Sequence, residues 1–294
     1  MLTIKTPATS ANLGPGFDCL GLALNIYNSF EVELSDHTFL ENIEERFNNE
    51  NNLFLKAYRR GCQEIGVNDH IHAVFHCDIP VSRGLGSSAS LITAGITAAS
   101  ILHDDALSEE EIFALASEME GHPDNAAPCI YGGLTASMVN GGRFVTHQLP
   151  LSDNWKFTVF IPDFEVSTEQ ARSILPESYP RAVASQNAAH AIMMVSALQS
   201  GNPFFLKEAA IDQIHEPYRK KLIHNFDDLK KIAEDSTDGR FLISGSGSTC
   251  ILISTLDLSD QAITKIQALP HHWQIHSVKP ALQGTEIWSS IDEK

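Results

Sequence analysis

One stretch limits the possible folds more than any other: Pro80-Val81-Ser82-Arg83-Gly84-Leu85-Gly86-Ser87-Ser88-Ala89-Ser90. Residues 71–79 before it read as a strand. Residues 87–102 after it are small and apolar with few charges, and read as a buried helix. Gly84 and Gly86 let the backbone take positive φ and come close to a ligand. Ser87 and Ser88 then open the helix, where free N–H groups and the helix dipole favour an anion. By itself the stretch is either a phosphate-binding turn or an ordinary glycine-containing strand–helix turn. It is no Walker A loop, because it has no Lys. Residues 84–89 match G-x-G-x-x-A formally. However, Pro80 precedes them, and no acidic residue ends a second strand ~20 residues on, which argues against a dinucleotide site.

Charge narrows the ligand. The chain carries 37 acidic and 20 basic residues, a net charge of −17. Neutralising a polyanion needs clustered Lys and Arg, so no nucleic-acid partner is expected. Positive potential at a phosphate site must come from backbone amides, a bound cation and a few local arginines. Five scattered cysteines without a C-x-x-C pair suggest reduced, buried thiols and a cytoplasmic protein. Residues 1–30 lack the apolar run of a signal peptide. The weakly polar run 89–102 is shorter than the ~20 residues of a membrane span, so no membrane association is expected.

The 294 residues suggest two domains at ~150 residues each. The polar, turn-like residues 150–154 place the boundary, giving 1–152 and 153–294. A strand is expected around residues 30–34 and a helix over 51–66. A second helix over 108–119 opens with a Ser108/Glu111 capping box. Residues 133–140 and 143–149 form a hairpin about Asn140-Gly141-Gly142. In the second half, strands are expected at 155–161, 249–254 and 273–278. Helices are expected at 181–200, 203–210, 218–234 and 259–269. Separated strands with helices between them imply an α+β fold, with helices on one face of a mostly antiparallel sheet.

Three segments carry a resemblance. Residues 80–90 resemble the ATP-binding motif of the GHMP small-molecule kinases. Pro7-Ala8-Thr9-Ser10-Ala11-Asn12-Leu13-Gly14-Pro15-Gly16-Phe17-Asp18-Cys19-Leu20-Gly21 resembles the first motif of the homoserine kinases within that superfamily. Ser244-Gly245-Ser246-Gly247-Ser248-Thr249 is similar to the third GHMP motif. The resemblance runs from about Thr3 to Ile253. It implies a two-domain fold, with an N-terminal domain like domain 2 of ribosomal protein S5 and a ferredoxin-like C-terminal domain. The active site lies between them. It also implies a homodimer that transfers the γ-phosphoryl group of ATP to the hydroxyl of L-homoserine, with Mg²⁺, in threonine biosynthesis.

Roles follow from the resemblance residue by residue. Taken alone, His122-Pro123-Asp124-Asn125 is a surface turn. The resemblance places His122 and Asn125 at the substrate hydroxyl. Asn125 stands where related kinases for other alcohols carry Asp, so whether a protein base exists stays open. Asn12 and Asp18 are turn residues by local chemistry. The resemblance makes Asn12 a substrate contact and Asp18 the partner of the α-ammonium. Arg172 and Arg219, otherwise surface ion-pair residues, become a planar grip on the α-carboxylate. Ser88 and Glu120 become Mg²⁺ ligands, with Glu118 as the alternative carboxylate, and Asn52 approaches adenine. A bulky residue at Gly86 is expected to obstruct ATP and leave the fold intact.

Overall fold

The computed structural model describes residues 1–289. Its first half is built on a long antiparallel pair, β1 (Leu2–Ala11) and β2 (Leu20–Ser35), running from Leu2↔Val32 to Ala11↔Gly21 with a bulge at Pro7/Ala8. There follow β3 (Phe39–Glu41), α1 (Leu53–Ile65), β4 (His70–Cys77), α2 (Ser87–Ile101), α3 (Glu109–Glu120), α4 (Pro123–Tyr131), β5 (Leu134–Asn140) and β6 (Arg143–Leu149). β4 pairs with the far part of β2, and the β5–β6 hairpin pairs with its first residues. Phe30, Phe54 and Phe75 pack with centroids 5.2 Å apart and join sheet to helix α1. The expected capping box is present: the Ser108 hydroxyl accepts from the Glu111 N–H, and the Glu111 carboxylate accepts from the Ser108 N–H.

The second half contains β7 (Lys156–Ile161), α5 (Thr168–Ser173), α6 (Arg181–Ser200), α7 (Pro203–Ala209), α8 (Glu216–Arg219), α9 (Phe226–Asp235), β8 (Arg240–Ile243), β9 (Cys250–Ser254), α10 (Asp260–Gln267) and β10 (Gln274–Val278). Its sheet is antiparallel throughout, in the order β10-β7-β9-β8, which is the ferredoxin-like order.

The last described strand, β11 (Glu286–Ser289), returns to the first sheet and pairs with β1. The open edge of β1 supplies the hydrogen-bonding groups that draw it back. The expected helix 218–234 is split into α8, a 3₁₀ turn and α9, because Asn225 takes φ 58°. Asn tolerates that left-handed conformation through its short polar side chain. Residues 122–125 are no surface turn but the start of α4, with Pro123 in its first turn and Asp124 buried. Of the five free thiols, Cys62, Cys129 and Cys250 are buried, whereas Cys19 and Cys77 are exposed. Among the described residues no helix is long and apolar enough to cross a membrane.

Candidate active site

A cavity of about 590 Å³ opens between the two sheets. Its floor is the glycine loop, held from both sides. Thr9 on β1 donates its N–H to the Leu85 carbonyl at 3.0 Å. The Ser244 hydroxyl donates to the Gly84 carbonyl at 2.7 Å, and the Thr249 N–H donates to the Arg83 carbonyl at 2.9 Å. Both glycines have positive φ, but protein contacts also demand them. A Cβ on Gly84 would lie 2.3 Å from the Ser244 carbonyl, and one on Gly86 would lie 1.9 Å from the Thr9 hydroxyl. A bulky residue at Gly86 therefore strains the fold, contrary to the expectation from sequence. Gly86 opens α2, and no side chain caps that helix start.

Of the eleven loop residues, Val81, Ser82, Arg83, Gly84, Gly86, Ser87 and Ser88 line the cavity. Leu85, Ala89 and Ser90 are fully buried and do not. Ser90 instead receives a hydrogen bond from Asn28 at 2.9 Å and meets the Thr6 hydroxyl at 2.7 Å. Pro80 faces a separate crevice behind the loop. Arg83 spans the two halves as a strut, donating to the carbonyls of Val81, Pro162 and Asp163.

At the α3–α4 junction, the Ser88 hydroxyl donates to the Glu120 carboxylate. Burial pushes the Glu120 carboxyl above its ordinary range, with the Ser88 bond opposing. Glu118 lies outside the cavity near Arg60, whereas Glu120 lines it. His122 Nδ1 is 2.6 Å from the Asp124 carboxylate. Burial works against the imidazolium, but the bond and charge of Asp124 outweigh it and His122 titrates above its ordinary value. The Asn125 oxygen accepts from the Thr9 hydroxyl at 2.7 Å, which leaves its NH₂ as a donor beside the cavity.

At the opposite wall, Asn12 and Asp18 take φ 70° and 56°. Asn12 accepts from the Asp18 N–H at 3.0 Å and donates to the Gly245 carbonyl at 2.9 Å, tying the first loop to the third. Arg172 grips Asp18 with both terminal nitrogens, at 2.6 and 3.3 Å. Arg219 is 2% exposed and donates to the carbonyls of Ala171 and Gly245. The Phe17 ring lies 5.6 Å from the Arg172 guanidinium carbon and 5.1 Å from that of Arg219. Burial, then the charge of Arg172, pulls Arg219 down to about 10.

Asn52 lines the remote end, but its side chain is committed to capping α1 and to the Phe47 carbonyl. Sequence reasoning missed Thr9, Phe17, Asp212 and His215. Asp212 accepts the N–H groups of Ile214, His215 and Glu216 and so starts the helix that carries Arg219. His215 is fully buried, stacks on Phe17 at 5.4 Å and donates from Nε2 to the Gly14 carbonyl at 2.9 Å. An Asp three residues before a His, just ahead of a short helix, is a capping signal that sequence alone offered. No group of three His, Cys, Asp or Glu side chains suited to a metal exists among the described residues.

The chain matches the family model of the GHMP kinases N terminal domain over residues 52–133 and that of the GHMP kinases C terminal over residues 194–272. It is 39% identical to homoserine kinase of Clostridium botulinum (strain Okra / Type B1), over 98% of both chains. It is similar to the crystal structure of homoserine kinase from Cytophaga hutchinsonii, with TM-score 0.85 and 28% identity over 98% of this chain and 97% of that one. L. major mevalonate kinase shares the fold, with TM-score 0.72 and 16% identity over 95% of each chain. The position of every motif, the order of strands and these likenesses agree: the chain belongs to the homoserine kinases, within the GHMP kinases.

Proposed function

We propose that the protein transfers the γ-phosphoryl group of ATP to the side-chain hydroxyl of L-homoserine, giving O-phospho-L-homoserine on the way to threonine. The observation that carries this reading is the asymmetry of the cleft. One part is an uncapped helix start behind a glycine loop, suited to polyphosphate. The other has two guanidinium groups and one carboxylate, suited to an α-amino acid.

Phosphoryl transfer needs positioning and charge neutralisation more than covalent chemistry. Amides at residues 84–88 hold the phosphates. Asp18 takes the α-ammonium, Arg172 and Arg219 the α-carboxylate, and Asn12 holds the loop that presents Asp18. Ser88 and Glu120 fit a hard cation, because their oxygens meet in a buried place where an unpaired carboxylate is costly. When bound there, Mg²⁺ supplies charge neutralisation at the phosphate oxygens. The Asn125 NH₂ orients the acceptor hydroxyl. His122 is tied through Nδ1 to Asp124, whose charge favours the imidazolium against burial. The Asn125 amide is not basic, so the hydroxyl proton passes directly to the transferred phosphoryl group. The five free thiols support a reducing cytoplasm, and the family resemblance carries a homodimer with it.

A coupled ADP-release assay over homoserine, serine, threonine, mevalonate and galactose tests the reading. Homoserine should give by far the highest kcat/KM. Faster turnover of mevalonate or galactose would refute it.

A further inference from the structure

The Asp18–Arg172 pair raises a question that substrate binding must answer, since each partner occupies what the other's ligand needs. The pair is built rather than casual. Asp18 sits in a left-handed turn with its N–H tied to Asn12, and its carboxylate meets Arg172 at 2.6 and 3.3 Å. Arg219, behind Phe17, has no carboxylate within ion-pair distance among the described residues, and its guanidinium rests on two backbone carbonyls. Of the two guanidinium groups at this wall, only that of Arg172 is paired with the Asp18 carboxylate.

From this arrangement, and resting on the assignment of an amino acid to this wall, we infer that the Asp18–Arg172 ion pair is a lock opened by exchange with a zwitterion. The ligand's carboxylate takes Arg172 and its ammonium takes Asp18, so an α-amino acid splits the pair and leaves every charge partnered. A ligand with only a carboxylate finds Arg219 without a carboxylate partner but gains the second guanidinium only by drawing Arg172 off Asp18, which is then stranded. One with only an ammonium strands Arg172. Stranding a partly buried charge is unfavourable, so the lock rejects both single-charge analogues although each complements half of the site. Arg219 is fixed by its carbonyls and its burial, so the movable partner is Arg172, whose side chain is 37% exposed.

The exchange makes a prediction of unusual sign. Removing one half of the lock should improve binding of the analogue that needs only the other half. Binding is measured by calorimetry on the full chain with homoserine, 4-hydroxybutyrate and 3-aminopropan-1-ol. Asn suits the left-handed turn, so Asp18→Asn keeps the loop. It should bind 4-hydroxybutyrate about fivefold more tightly than the wild type and homoserine at least about tenfold more weakly. Arg172→Gln should bind 3-aminopropan-1-ol more tightly than the wild type does. Unchanged or weaker binding of the matching analogue by either folded variant overturns the lock. Failure of the wild type to bind homoserine at all would instead overturn the substrate assignment, a separate outcome.

Discussion

Gly86→Ala tests how the glycine loop and the acceptor end are joined. The new methyl group would stand 1.9 Å from the Thr9 hydroxyl and 3.1 Å from Thr9 Cβ, on a residue with φ 70°. The left-handed conformation costs Ala ~1–2 kcal/mol. Thr9 must rotate away, which loses its hydrogen bond to Asn125 at ~1 kcal/mol and strains its rotamer by a similar amount. Lower unfolded-chain entropy returns ~0.4–1 kcal/mol. The net loss is ~2–3.6 kcal/mol, a fall in Tm of roughly 3–6 °C for a chain this long. Turnover should fall further than stability, because the amide of Asn125 loses the bond that orients it. Denaturant titration and steady-state kinetics on the same preparations separate the two effects. In the Thr9→Ala background the methyl group meets no hydroxyl, so the two changes should be less than additive in stability by ~1 kcal/mol. Asn125 stays unheld in the double variant, so turnover stays low. Strict additivity in stability, or full turnover by Gly86→Ala, would refute the coupling.

Three further perturbations follow from the same geometry. Glu120→Gln removes a carboxylate that burial disfavours; it should match or exceed the wild type in denaturant midpoint, while kcat falls ~10²–10³-fold. Asp124→Asn removes the charge that keeps the proton on His122, whose folded value lies above the ordinary one; the alkaline fall in kcat/KM should move to lower pH in the variant. Burial holds His215 below its ordinary value, so below about pH 6.5 the unfolded chain takes the proton first and stability falls by up to ~1.4 kcal/mol per pH unit. That loss should be smaller in His215→Gln, as measured by unfolding at pH 5 and pH 7.

What the sequence revealed depended on whether the cause was local. Helix α6 and the capping box of α3 were legible because composition and capping residues act within one turn. Helix α4 was hidden because His-Pro-Asp-Asn has the composition of a turn, although Pro is well suited to a first helical turn. β1 was hidden because its buried positions are nearly continuous and include Thr, Ser and Pro, so no alternation marks it. β11 exists because β1 offers an edge, which no local pattern reports. The site divides in the same way. The glycine loop offered a phosphate-binding reading through its own chemistry, whereas Asp18 and both arginines stood out only through the family resemblance, since locally they read as a turn residue and surface ion-pair residues. Thr9, Phe17 and His215 reach the site only through tertiary contacts, to Asn125, to the two arginines and to Gly14. Leu85 and Ser90 share a motif with ligand-facing residues yet belong to the interior.

The most direct test of the central claim is the identity of the product. Incubation of the protein with ATP, Mg²⁺ and L-homoserine, followed by phosphorus NMR without proton decoupling, reads the atom that receives the phosphoryl group. The account predicts a phosphomonoester resonance split into a triplet by the two methylene protons next to the side-chain oxygen, growing in step with ADP. Inorganic phosphate alone, or an ester at any other position, would contradict it.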